Sequence, residues 1–177
     1  MSTSLVLTFI GPDRPGLVNE ISQKIAAAGG SWLESRLAHL AGQFAGIVLV
    51  RAPAQAAAAL PAALAELRAD GLSVTVTEGS ERAPAQDYEA LTLDVLGHER
   101  PGIVRDVTQT LRKLGVNIEE LSSSIESAPF TGEEMFRAVL KVSIPAHVAV
   151  DDVRRSLEQL TQELMVDVRG ATEAVAG

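Results

Sequence analysis

Apolar residues recur along this chain with two alternating periods. Residues 5–10, Leu-Val-Leu-Thr-Phe-Ile, form a β-rich run too short for a helix. Both faces of that run are largely apolar, which predicts a central strand covered on both sides. Residues 15–28 then carry Leu17, Val18, Ile21, Ile25 and Ala28 at helical spacing, a stripe expected to be buried. Gly29-Gly30 ends that helix as C-cap glycines do. Residues 31–40 read as a strand, Ala41-Gly42-Gln43 as a hairpin turn, and 44–51 as a strongly apolar strand. Leu60, Leu64 and Leu67 keep register in an Ala-rich helix over 54–69, where Pro61 predicts a kink or a restart. Asp70-Gly71 stops it, and 72–77 alternates as a last strand.

The same script runs a second time. Residues 91–96 read as a strand, and 101–114 as a helix with Ile103, Val104, Val107, Leu111 and Leu114 facing inward. Strands over 116–125 and 134–144 flank a loop at 128–132, a helix spans 150–164, and 165–170 closes the pattern. At an offset of 86, ten of the 32 positions from Leu5 to Arg36 are identical. Self-similarity of this kind points to duplication. Each copy reads β-α-β-β-α-β, so the expected class is α+β, two tandem ferredoxin-like units with two helices on one face of a four-stranded antiparallel sheet. Residues 78–89 hold Gly79, Ser80, Pro84 and several charges without periodicity. The expected domains are 1–79 and 90–177, joined by a linker over 80–89.

Helices on one face leave the other face of each sheet bare. Val6 and Ile10 in one strand, with Val48 and Val50 in another, are too apolar to sit in water comfortably. Each such side chain contributes about 1.5–3 kcal/mol when buried. The repeats are therefore expected to contact one another, and the chain to form a homo-oligomer. Pairing through exposed strand edges is the other route.

Chemistry concentrates where each first strand meets its helix. Gly11, Pro12, Asp13, Arg14, Pro15 and Gly16 return as Gly97, His98, Glu99, Arg100, Pro101 and Gly102. Pro15 and Pro101 suit a first helical turn, where the missing N–H is not needed. Gly11 and Gly97 are expected to take positive φ, while Gly16 and Gly102 let a ligand or another backbone come close. Free N–H groups and the positive end of the helix dipole then favour a carboxylate or phosphate. One copy alone reads as a tight turn without a ligand; two in matched contexts point to a purpose.

Composition removes other classes. A formal charge of −8 argues against an electrostatic grip on nucleic acid. The chain has no cysteine, which excludes disulfides and thiolate metal sites and suits a reducing cytoplasm, the expected location. Met1-Ser2-Thr3-Ser4 has no basic residue of the kind that opens a signal peptide, and no run approaches the roughly 20 apolar residues of a membrane helix. His39, His98 and His147 are too dispersed for a metal motif, although His98 stands in the second turn as a candidate ligand contact. Ser122-Ser123-Ser124 lacks a nucleophile elbow, and no glycine spacing matches a phosphate or dinucleotide loop. RNA-binding domains of the same element order stack bases on strand aromatics. Phe9 has no counterpart in the second unit. No catalytic residue, metal or cofactor is expected.

The run of strand, Arg-Pro-Gly-[Leu/Ile]-Val turn, helix and glycine, with Val116-Asn117-Ile118 opening the next strand, resembles the ACT domain, a small-molecule sensing module of amino-acid metabolism. Both halves resemble it, leaving no room for a catalytic domain. The two-unit layout, with Ser35-Arg36-Leu37-Ala38 before Phe44, resembles the glycine cleavage system transcriptional repressor family. The resemblance implies a site between units, where the turn supplies backbone donors and an Asn at the second strand's start supplies an amide. That role falls to Asn117 beside Ile118 in the second half. The first half has Ser31, whose hydroxyl offers less than an amide.

The ligand implied is a small amino acid, glycine being one candidate. Two functions follow from the resemblance. One is a non-enzymatic regulator acting by contact with a protein partner such as a transcription activator. The other is a regulatory subunit acting in trans on an amino-acid metabolic enzyme.

Overall fold

A computed structural model describes residues 2–80, 87–128, 131–160 and 164–170. The chain divides into two compact units, Met1–Ala83 and Pro84–Gly177. The first contains β1 (Ser2–Pro12), α1 (Leu17–Ala27), β2 (Ser31–Leu40), β3 (Gln43–Pro53), α2 (Ala54–Ala65) and β4 (Ser73–Glu78). The second contains β5 (Tyr88–His98), α3 (Ile103–Lys113), β6 (Asn117–Ser127), β7 (Glu134–Pro145), α4 (Val150–Glu158) and β8 (Met165–Gly170). The sheet orders are β2-β3-β1-β4 and β6-β7-β5-β8, antiparallel throughout. Both units are thus the expected ferredoxin-like βαββαβ fold. Even the register break near the start of the second strand recurs, between Trp32 and Glu34 and between Ile118 and Glu120.

Each unit closes a core of its own between sheet and helices. Leu7, Ile21, Ile25, Val48, Leu60 and Leu64 fill the first, and Leu93, Val107, Leu111, Leu140, Ile144 and Leu157 the second. Period-2 and period-3.6 stripes meet there, as the pattern required.

Several boundaries and orientations differ from expectation. β1 is central, but only its Leu5, Leu7 and Phe9 face is buried. Val48 and Val50 are fully buried toward the helices, so the bare face belongs instead to Val6, Ile10, Ile47 and Leu49. A two-residue period sends neighbours to opposite faces, and the sequence alone does not say which face is covered. Val18 and Val104 are 39% and 41% exposed, at the ends of the stripes that hold Ile21 and Val107. α2 runs unbroken through Pro61 and passes into a 3-10 helix over Glu66–Asp70, so no restart occurs at the proline. β5 begins at Tyr88, inside the expected linker, and α4 ends at Glu158. Residues 81–86, 129–130, 161–163 and 171–177, which belong to the expected linker, loop, helix end and second domain, lie outside the described residues.

The two helix-free faces share a register but not a chemistry. In the second sheet, Arg137 donates Nε and Nη2 to Asp94 at 3.1 and 2.8 Å. Arg169 bridges Asp94 and Asp167 at 3.3 and 2.9 Å, and Lys141 meets Glu120 at 3.1 Å. At the places of Asp94, Arg137, Lys141, Asp167 and Arg169 the first sheet carries threonine and aliphatic residues, while Glu34 stands where Glu120 does.

Candidate functional site

Both strand-to-helix connections are type II turns. Gly16 sits at φ 94°, ψ −6° and Gly102 at φ 87°, ψ 3°, the values of the third turn residue, directly after Pro15 and Pro101. In the second unit Ile103 N–H donates to the Arg100 carbonyl at 3.3 Å, closing the turn. The glycine roles therefore exchange relative to expectation. Gly16 and Gly102 need the left-handed region, whereas Gly11 lies inside β1, where an added Cβ would come within 2.9 Å of the Gly71 carbonyl and Leu72. Gly97 likewise lies buried within β5. The prolines precede the helices, which start at Leu17 and Ile103, because the turn glycine itself provides the N-cap.

That N-cap leaves donors exposed. Gly16 and Gly102 carbonyls accept the first helical bonds from Glu20 and Asp106 N–H at 2.9 and 3.0 Å, and neither helix has a side-chain cap. Ile103 N–H is taken by the turn itself, and no side chain caps the remaining first-turn N–H groups, which have the positive end of the helix dipole behind them. Asp13 N–H donates to the Gly42 carbonyl and Glu99 N–H to Glu134, tying each turn to the neighbouring β-hairpin.

Arg14 and Arg100 clamp the turns. Arg14 grips Glu20 through two bonds of 2.5 and 2.7 Å, and Arg100 meets Asp106, at the corresponding position, at 2.8 Å. The bond from Arg14 holds the Glu20 carboxyl below its usual range. Asp106 is lowered by Arg100 first and Arg105 second. Charge-assisted pairing of this geometry orients a loop. The acidic residue one turn into the helix thus explains why arginine is repeated in both turns.

Beside the first turn lies a cavity of about 360 Å³ lined by Asp13, Arg14, Gly16, Leu17, Val18, Asn19 and Phe44. Sequence reasoning missed Leu17, Val18, Asn19 and Phe44 as lining residues. An apolar side chain retained at a stripe's exposed end, as Val18 and Val104 are, was the readable sign. The second turn is arranged differently, because the Arg105 guanidinium lies over Gly102 and pairs with Asp106 at 2.9 Å. His98 ends β5 opposite Met135, half-buried. His39 approaches Asp13 at 3.7 Å.

Ser31 and Asn117 lie at the other end of their units. Asn117 shares a row with Ser143 and Ala90, seven residues before Gly97 on β5. Ser31 shares a row with Arg51 and Ser4, seven residues before Gly11 on β1. Seven residues of antiparallel strand span about 24 Å, so one unit does not join its turn to its own Asn117 or Ser31. Asn117 Nδ2 donates to Glu119 at 2.5 Å, and Ile118 packs against the second core. Ser31 lines a separate cavity of about 430 Å³ with Ser2, Gly29, Arg51, Ala52 and Pro53. Among the described residues, no group of three or more His, Cys, Asp or Glu is placed to hold a metal, and no helix is long and apolar enough to cross a membrane.

Comparison with known proteins agrees with this architecture. Residues 3–77 and residues 91–164 each match a family model described as ACT domain. The glycine cleavage system transcriptional repressor of Escherichia coli is 27% identical over 168 residues, covering 93% of this chain and 85% of its own. A UPF0237 protein of Methanopyrus kandleri is 33% identical over 75 residues, which is 42% of this chain and 77% of that protein. A crystal structure of an unknown protein from Galdieria sulphuraria superposes with TM-score 0.80 at 30% identity, over 97% of this chain and 99% of that one.

Proposed function

Because this chain belongs to the ACT-domain family, with one such domain in each half, we propose that it is a non-enzymatic regulator that senses a small amino acid. The observation that carries this reading is the pair of clamped type II turns opening onto uncapped helix N-termini. Backbone N–H groups there suit a carboxylate, and the cavity of about 360 Å³ at the first turn has room for a small zwitterion. With Arg14 and Arg100 held by Glu20 and Asp106, the arginines position the turn and the backbone makes the contact. Glycine is the first ligand to try, since the relative covering 93% of this chain is a glycine cleavage system transcriptional repressor. Action in the cytoplasm, through contact with a protein partner such as a transcription activator, fits a chain of net charge −8.

Asn117 stands about 24 Å along the strands from the turn of its own unit, so its amide would serve the turn of another unit. β2 and β6 are edge strands, and every residue from Leu121 to Ser127 is exposed. Antiparallel pairing of an edge with its own copy sets the start of one strand beside the end of the other. Ser31 or Asn117 then stands roughly three strand spacings, about 14 Å, across from the end of the partner strand that opens its turn. The ligand would close a homo-oligomeric site of this kind.

Calorimetry against a panel of small amino acids tests the reading. Wild-type protein is expected to bind one of them, and Asn117→Ala to weaken that binding about tenfold or more, the loss of a charge-assisted hydrogen bond. Absence of binding across the panel overturns the sensor. Pull-down with and without the ligand then identifies the partner: a DNA-binding protein supports the transcriptional role, and a metabolic enzyme replaces it with regulation in trans.

A further inference from the structure

We propose that Arg51, with the hydroxyls of Ser31 and Ser2, forms a site for a small oxyanion, the carboxylate or phosphate group of a small molecule, at one corner of the first unit. The same corner is built twice in this chain, and the two versions differ in charge. Ser31 pairs across the sheet with Arg51 and Arg51 with Ser4, where Asn117 pairs with Ser143 and Ser143 with Ala90. Each corner also holds the residue skipped at the register break, Leu33 in the first unit and Glu119 in the second.

The second corner supplies its own anion. The Glu119 carboxylate accepts from Asn117 Nδ2 at 2.5 Å and from Ser143 Oγ at 2.9 Å. In the first unit Leu33 replaces Glu119, which removes the acceptor, and Arg51 replaces Ser143, which adds a cation. Ser31 keeps a donor where Asn117 stands, and the small Ser2 stands where Tyr88 does. Among the described residues, neither the Arg51 guanidinium nor the Ser31 hydroxyl has a hydrogen-bond or ion-pair partner. Glu34, in the next row of that face, is paired with Arg36 at 2.9 Å. The cavity of about 430 Å³ at this corner is lined by Ser2, Gly29, Ser31, Arg51, Ala52 and Pro53, with no carboxylate among them. A guanidinium fork matches the paired oxygens of a carboxylate or a phosphate, and serine hydroxyls donate to an oxygen left over. An oxyanion from outside thus takes the part that Glu119 plays in the second unit. Arg51 is exposed and the chain carries a net charge of −8, so the affinity is expected in the millimolar range and to fall with salt. This corner lies at the opposite end of β1 from the turn of its own unit, so the site does not rest on sensing at the turns.

Nuclear magnetic resonance of the Arg51 side-chain Nε–H tests the site, with sodium chloride holding the ionic strength constant. Inorganic phosphate and acetate are the two probes. A saturable shift with phosphate alone assigns a phosphate-bearing ligand, with acetate alone a carboxylate, and with both an oxyanion of either kind. Arg51→Gln is expected to abolish the accompanying shift at the Ser31 amide. Leu33→Glu, which installs the carboxylate of the second unit, is expected to raise the Kd about tenfold or more with an unchanged circular dichroism spectrum. A wild type without a saturable shift for either probe overturns the proposal. So does unaltered affinity in Leu33→Glu, or a Ser31 shift that persists in Arg51→Gln. Should one variant unfold, the wild-type titration and the other variant decide. All measurements are made without amino acid, so failure of the sensor and failure of this site are read separately.

Discussion

Gly16 and Gly102 hold backbone angles that an L side chain resists, and both do so where the first strand of each unit gives way to its first helix. Alanine at either is expected to lower stability by about 1–2 kcal/mol, read from the urea midpoint at constant m. Gly11→Ala destabilises by a different route, since its Cβ meets backbone at 2.9 Å and β1 cannot move without breaking two ladders. The turn was legible as a repeated motif, but the division of labour between its glycines was not. Both glycines are small in sequence; only the path of the chain shows which one needs φ and which one needs space. The same holds for Arg14, where pairing with Glu20 required α1 to start two residues later than its proline implied.

Strands and helices pose a different question, which face meets what. Asp94, its side chain 12% exposed, is held below the usual carboxylate range first by its bond to Arg137, with Arg169 adding to the effect. A depressed folded pKa means stabilisation that is complete above the unfolded value near 4 and lost as pH falls through the folded one. The β5–β7–β8 face is thus expected to lose protection below about pH 4. Asp94→Asn should flatten that pH dependence, measured by hydrogen exchange of the second unit. In α2, Pro61 lies within the helix and exposed. It lacks the N–H that would reach back one turn, so Pro61→Ala is expected to stabilise the first unit by about 1–3 kcal/mol in urea unfolding. Periodicity located these elements to within a few residues. It misassigned Val48 and Val50 because both faces of β3 are rich in aliphatics, and alternation conveys an orientation only when one face is polar.

On the scale of the molecule, each unit closes its core from its own residues. Leu7→Ala and Leu93→Ala should each cost about 2–5 kcal/mol, with hydrogen-exchange protection falling most in the unit that carries the substitution. The sequence by itself determined the duplication, the βαββαβ order, the ACT-type turns and the separation of apolar stripes into two cores. The turns, stripes and element order are written in short local or periodic runs, and the duplication in their return 86 residues later. Tertiary structure alone decided which face of each strand is covered, that Asn117 and Ser31 stand about 24 Å along the strands from their own turns, and that Asp94, Arg137 and Lys141 charge one bare face where Thr8, Ala45 and Leu49 stand on the other. Those properties come from register between strands distant in the chain, where a side chain's neighbours are set by pairing and not by spacing. A ladder of hydrogen bonds fixes them, and no single segment contains it.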